Sequence, residues 1–196
     1  DYDGDCNLTE MRKEGGTKIY MGDIYNSRMI TVGKPNAETK YTSEKEEAYW
    51  RALNKYDSWA TAPNRANRKE IVYVGANDGM LHAIDFKTGV EKWAFIPPFI
   101  LPKIVNIINP SLNNANNNPK GGSNAIFGVD GSPVQHDIFF ESPFDLSPKW
   151  HTVLLVPYGR GGSGFSALIV TDPDAPRHLF SIYNDLTNNK VHVMKH

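Results

Sequence analysis

The stretch Ile71–Phe95, IVYVGANDGMLHAIDFKTGVEKWAF, decides the fold. Residues 71–75 are β-branched or aromatic as far as Gly75, Asn77-Asp78-Gly79 supplies a turn that tolerates positive φ, and Met80–Phe86 forms a second strand. A second turn follows at Lys87-Thr88-Gly89, and a third short strand carries Trp93 and Phe95. Strand, Asp-Gly turn, strand, Thr-Gly turn and a strand with Trp is the rhythm of a β-propeller blade, in which small antiparallel sheets pack radially. The expected class is all-β: a partial β-propeller with quinoprotein-like blades and one inserted helix.

Two further segments read as β. Trp150–Val156 leads through the glycine-rich Gly159–Gly164 into Phe165–Val170, and another apolar strand runs from His178 to Tyr183. Laying Ala83 on Ala167 matches Leu81 with Phe165 and Ile84 with Leu168, a weak internal repeat. Between the two copies, Ala125–Val134 and Asp137–Phe140 predict a pair of strands around a polar turn.

Four of these segments resemble, in the same order, motifs of the PilC/PilY family of type IV pilus tip-associated proteins. They are MGDIYNS at 21–27, VYVGANDGMLHAID at 72–85 followed by AFIP, FGVDGSPVQHDIF at 127–139, and WHTVLLVPYGRGGSGFSALIVTDP at 150–173. The resemblance runs from about Gly22 to Pro173 and implies the C-terminal propeller of that family. It also implies a role in surface adhesion and pilus extension, an extracellular or cell-surface location, and pilin or minor pilin subunits and a host or surface ligand as partners. Two departures mark a divergent member. Ile169 stands where the family usually has an acidic residue, and Val156-Pro157-Tyr158 where it usually has small ones.

Length limits how much of a ring is present. At roughly 40–50 residues per blade, 196 residues cannot close six or seven blades. We expect one propeller domain across 1–196: an acidic loop and first strands in 1–40, the inserted helix in 41–62, and blades with a long loop in 63–196. The remainder of the propeller is then supplied by a longer chain or a larger assembly.

Composition argues against some partners. Lys and Arg number 21 against 22 Asp and Glu, so nucleic acid and anionic membranes find no basic surface. Pro97, Pro98, Pro102 and Lys103 interrupt the best apolar run, Phe95–Ile108, which predicts no membrane insertion. Cys6 stands alone and forms no internal disulfide.

The helix is expected over Ser43–Ala60. Ser43-Glu44-Lys45-Glu46 has the spacing of a capping box, Ala48, Ala52, Leu53, Tyr56 and Ala60 recur at helical intervals, and Glu47 with Arg51 is an i,i+4 ion pair. Asn106–Asn124, rich in Asn, Pro and Gly, predicts a long surface loop.

The densest group of hard oxygen donors lies at the N-terminus. Asp1, Asp3 and Asp5 alternate with Tyr2 and Gly4, and Asn7 and Glu10 follow. Such a run can curl around calcium, which takes six to eight oxygens. The EF-hand pattern is incomplete, with Cys6 where Gly is required and Arg12 where a bidentate Glu is required. The expected metal ligands are Asp1, Asp3, Asp5, Asn7 through its carbonyl, and Glu10. The family resemblance also implies a calcium-binding loop of this acidic character.

No catalytic constellation is legible. The six histidines lack zinc spacing, Gly159–Gly164 lacks the Lys-Ser or Lys-Thr of a phosphate loop, and neither Ser132 nor Ser163 sits in a nucleophile elbow. Adhesion and assembly is therefore the favoured function. The alternatives are a structural or receptor-binding component of a virus-like or secreted assembly and, least favoured, a quinoprotein dehydrogenase fragment.

Overall fold

The computed structural model describes residues 13–14, 17–18, 21–108 and 127–195. Two short strands, β1 (Lys13–Glu14) and β2 (Thr17–Lys18), pair antiparallel. The body consists of two antiparallel sheets. The first has the order β3 (Ile30–Val32), β4 (Ile71–Gly75), β5 (Leu81–Asp85), β6 (Glu91–Phe95). The second runs β11 (Lys190–Lys195), β10 (Arg177–Asp185), β9 (Gly164–Ile169), β8 (Lys149–Pro157), β7 (Val134–Phe140).

The turns follow their sequence chemistry. Gly79 at the β4–β5 tip has φ 91°, which a side chain would strain, and Asp78 Oδ1 closes the turn by accepting the Met80 amide at 3.0 Å. Asp85 Oδ1 accepts the Lys87 and Thr88 amides ahead of Gly89. The same device recurs at β10–β11, where Asp185 Oδ1 accepts the Thr187 and Asn188 amides ahead of Asn189 at φ 52°.

The repeat read from the sequence is a repeat in register. Ala83 and Ile84 face Trp93 and Glu91, leaving Lys92 as an extra residue in a bulge. Ala167 and Leu168 face Phe180 and His178, leaving Leu179 extra. Both bulges therefore fall at the same point of the Ala83-on-Ala167 alignment.

The sheets meet face to face through alternate residues. Ile71, Tyr73, Leu81 and Ala83 of the first pack with Leu154, Val156 and Leu168 of the second, joined by Val129 and Tyr158. A completely buried leucine such as Leu154 contributes about 2–3 kcal/mol by leaving water. Trp93 crosses the seam, its ring 5.6 Å from Tyr73 and its indole N–H donating to Pro173 O at 2.8 Å. The opposite face of the second sheet gathers Val153, Ala167, Ile169 and Leu179 against Phe140 and Phe144.

Three sequence expectations change. The helix expected over Ser43–Ala60 is two helices, α1 (Glu47–Leu53) and α2 (Tyr56–Ala60), followed by α3 (Pro63–Ala66). Lys55, at φ 54°, breaks it. The buried positions explain why: Arg51 and Tyr56 both point inward, yet five residues of continuous helix would set them about 140° apart. Ala52 and Leu53 are consequently exposed. The capping box does not form; Glu46 instead accepts from the Thr42 amide and hydroxyl, while Glu47 and Arg51 do pair at 2.6 Å.

A further helix, α4 (Leu101–Ile108), occupies part of the interrupted apolar run and the start of the expected loop. The rest of that loop, 109–124, lies outside the described residues. Finally, residues 127–133 form no strand, and one strand, β7, covers Val134–Phe140. Their amides are taken elsewhere: Val129 N–H donates to Ala76 O at 3.0 Å and Asp130 N–H to Tyr158 O at 3.1 Å. Among the described residues, no helix is long and apolar enough to cross a membrane.

Candidate functional site

All four signature segments converge where the β4–β5 and β8–β9 connections meet. The segment at 21–27 has no regular secondary structure to satisfy its backbone, so it borrows polar groups from the other motifs. Gly22 N–H donates to Asp78 Oδ2 at 2.8 Å, and Asn77 N–H donates to Asp23 O at 2.9 Å. Asn26 gives its amide and side-chain N–H groups to the two oxygens of buried Asp130, at 3.1 and 2.7 Å. Ser27 Oγ accepts the Gly75 amide at 2.9 Å, and Ser132 Oγ accepts that of Arg28 at 3.0 Å.

Glycines let the backbones touch. A Cβ on Gly161 would stand 1.6 Å from Gly128 O, and one on Gly128 would stand 2.4 Å from Gly79 N. On the exposed side of this junction the Arg160 guanidinium lies 5.2 Å from the Phe127 ring and 5.6 Å from that of Tyr25.

Asp78 is the electrostatic centre of the junction. Burial by itself would raise its pKa, but the His82 imidazole and the Gly22 and Met80 amides outweigh that, holding the carboxyl below its ordinary value. His82 Nε2 is 3.0 Å from Asp78 Oδ2, and its Nδ1 is 3.6 Å from Glu91 Oε2. His82 is thus a hydrogen-bonded histidine within β5.

A second polar cluster, with no motif to announce it, fastens the helices to both sheets. Tyr56 O–H donates to Asp137 Oδ2 at 2.6 Å, Thr152 O–H donates to Asp137 Oδ1 at 2.7 Å, and Arg68 Nη1 donates to Thr152 Oγ1 at 2.7 Å. Arg68 also reaches Gly33 O through Nε at 2.7 Å. Burial, then the bond to Asp137, pushes the Tyr56 phenol far above its usual range. The one available signal was Asp137 and Thr152 standing immediately before the apolar runs of their strands.

The metal-ligand candidates Asp1, Asp3, Asp5, Asn7 and Glu10 lie outside the described residues. Among the described residues, no group of three or more His, Cys, Asp or Glu side chains is placed to hold a metal ion.

Two adjacent, bulged antiparallel sheets locked by an intermotif junction define a β-propeller segment. Comparison with known proteins gives it a family. Residues 21–195 match the model described as the PilY1 beta-propeller domain, and this chain belongs to that family. It is 38% identical over 160 residues to a type IV pilus biogenesis factor PilY1 homolog of Xylella fastidiosa, covering 82% of this chain and 11% of that protein. It is 36% identical over 188 residues to the type IV pilus biogenesis factor PilY1 of Pseudomonas aeruginosa strain UCBPP-PA14, covering 96% of this chain and 14% of that protein. The crystal structure of the Pseudomonas aeruginosa PilY1 C-terminal domain superposes with a TM-score of 0.52 at 36% identity, covering 80% of this chain and 26% of that one.

Proposed function

We propose that this chain is the propeller portion of a type IV pilus biogenesis factor acting at the pilus tip, where it supports pilus extension and surface adhesion. It works by binding, not by catalysis. Pilin or minor pilin subunits and a host or surface ligand are its partners, and its place is the cell surface. The observation carrying this reading is the interlock of all four signature segments in one junction, in a chain whose relatives are named as pilus biogenesis factors. The chain spans only 11–14% of those relatives, so other parts of such a protein share the work.

Calcium regulation belongs to the same proposal. Asp1, Asp3 and Asp5 repel one another without a cation, and Asn7 and Glu10 supply further oxygens. A bound ion would order that loop.

The test is genetic. Deleting the gene in its own bacterium should remove surface pili and reduce adhesion, and the wild-type gene should restore both. A form carrying Gly161→Ala, which breaks the junction, should not. Unchanged piliation and adhesion after deletion would overturn the proposal.

A further inference from the structure

Away from the signature junction, α3 and the second sheet enclose a cleft of about 360 Å³, the size of a small-molecule site. Two arginines line it, Arg65 on α3 and Arg177 at the start of β10. Each guanidinium is seated on an aromatic ring, Arg65 5.2 Å from Trp59 and Arg177 4.9 Å from Phe144. A ring contact of this kind restrains a guanidinium without using its N–H donors, the groups that receive an oxyanion.

Neither arginine has an ion-pair partner among the described residues. Arg65 gives one N–H to Asn64 Oδ1 at 3.1 Å, and its buried Nε has no hydrogen-bond acceptor. A buried donor left unpaired is costly, and natural sites seldom leave one without a reason. Other basic side chains near the helices have acceptors for their terminal nitrogens: Arg51 binds Glu47 and Glu38 O, although its buried Nε is unpaired like that of Arg65, and Arg68 binds Gly33 O and Thr152.

The remaining charges of the cleft decide the class of ligand. Asp145 is committed to Lys149 at 2.5 Å, to the Ser142 hydroxyl and to His151, whose Nε2 stands 2.8 Å away but off the line of an aligned hydrogen bond. Burial holds the His151 pKa below its ordinary value, so the imidazole is neutral at pH 7. Asp172 also lines the cleft, with one oxygen accepting the Asp174 amide. Arg65, Arg177 and Lys149 against Asp145 and Asp172 leave a single positive charge, which matches a monoanion better than a dianion.

We propose that this cleft binds one carboxylate group, held between the N–H edges of Arg65 and Arg177. The carboxylate belongs to a ligand of sugar-acid or amino-acid size, or to an acidic side chain of that size on a partner. Nothing in this inference requires the pilus reading, because it is measured on purified protein.

The test is calorimetric titration of the full-length protein with sodium glucuronate, with N-acetylglutamate amide and with inorganic phosphate. The expected result is saturable one-to-one binding of at least one of the two carboxylates. It should weaken tenfold or more in Arg65→Gln/Arg177→Gln and tighten in Asp172→Asn. The two carboxylate probes distinguish a sugar acid from an acidic side chain. Should the double variant fail to fold, Arg177→Lys and Asp172→Asn still decide the matter. The first keeps the charge but loses the planar fork and should weaken binding; the second should strengthen it. Absence of binding by both carboxylates, phosphate bound tenfold more tightly than either, or affinities indifferent to these substitutions would each overturn the proposal.

Discussion

Adding a single methyl group at Gly161 should break the junction between the sheets. The Cβ would lie 1.6 Å from Gly128 O, 2.7 Å from Gly128 C and 3.2 Å from Phe127 O, all backbone atoms that no rotamer can move aside. Real Cβ atoms essentially never come within 3.0 Å of such a neighbour, so the two segments must part by at least 1.4 Å, the difference between 3.0 and 1.6. That displacement stretches the 3.1 Å bond from Asp130 N to Tyr158 O, which joins the two segments, beyond useful range. One lost bond at about 1 kcal/mol, with about 1–3 kcal/mol for overpacking, gives about 2–4 kcal/mol. Gly89→Ala is the control, because its Cβ would meet nothing within 4 Å and costs only the left-handed conformation at φ 68°, about 1–2 kcal/mol. Urea unfolding of the full-length protein, followed by tryptophan fluorescence, measures both. A Gly161→Ala protein no less stable than Gly89→Ala would refute the reasoning.

Three other outcomes follow from the polar clusters and the acidic segment. Tyr56 has its folded-state pKa raised, so above about pH 10, where the unfolded chain ionises first, stability should fall as pH rises. Tyr56→Phe should flatten that alkaline loss while costing about 1–3 kcal/mol at neutral pH, because Asp137 loses a donor; unchanged alkaline titration of stability would contradict it. Asp78 has its folded-state pKa lowered, so its contribution is complete above the ordinary aspartate value near 4 and should vanish as pH falls below it. Asp78→Asn turns an N–H group toward the donors at Gly22, Met80 or His82 and should cost about 1–3 kcal/mol while weakening the acid dependence, read by the same unfolding assay. Calorimetry of the full-length protein should register calcium uptake that Asp3→Ala with Asp5→Ala reduces; equal uptake by the variant would remove those ligands from the proposal.

What the sequence disclosed depended on how local the determining forces were. Ile71–Phe95 was legible because β-branched alternation and the Gly79 and Gly89 turns are encoded within a few residues. The break at Lys55 was not, since it arises from where Arg51 and Tyr56 must each point, and Tyr56 finds its partner Asp137 far along the chain. The segment at 127–133 looked like a strand from Ile126, Phe127 and Val129, yet its amides are claimed by Ala76 and Tyr158, each just past the end of a strand, β4 in one sheet and β8 in the other. Arg65 and Arg177 share a cleft although over a hundred residues separate them, and no spacing rule brings them together. By contrast, the signature segments were legible as motifs before their purpose was: a close-packed knot that only small residues and exchanged hydrogen bonds permit.

The matched bulges at Ala83/Ile84 and Ala167/Leu168 impose the same local coil at the same rung of the two sheets. Equivalent positions are therefore interchangeable in principle: β4–β6 and β8–β10 behave as cassettes. A recombinant that exchanges them at equivalent residues would keep the strand register, whereas one that offsets the two copies by a single residue would turn the buried side chains outward. Gene duplication followed by drift in the connecting loops would find such a boundary permissive, which is one physical route by which the helices at 47–66 could enter one copy without disturbing its sheet.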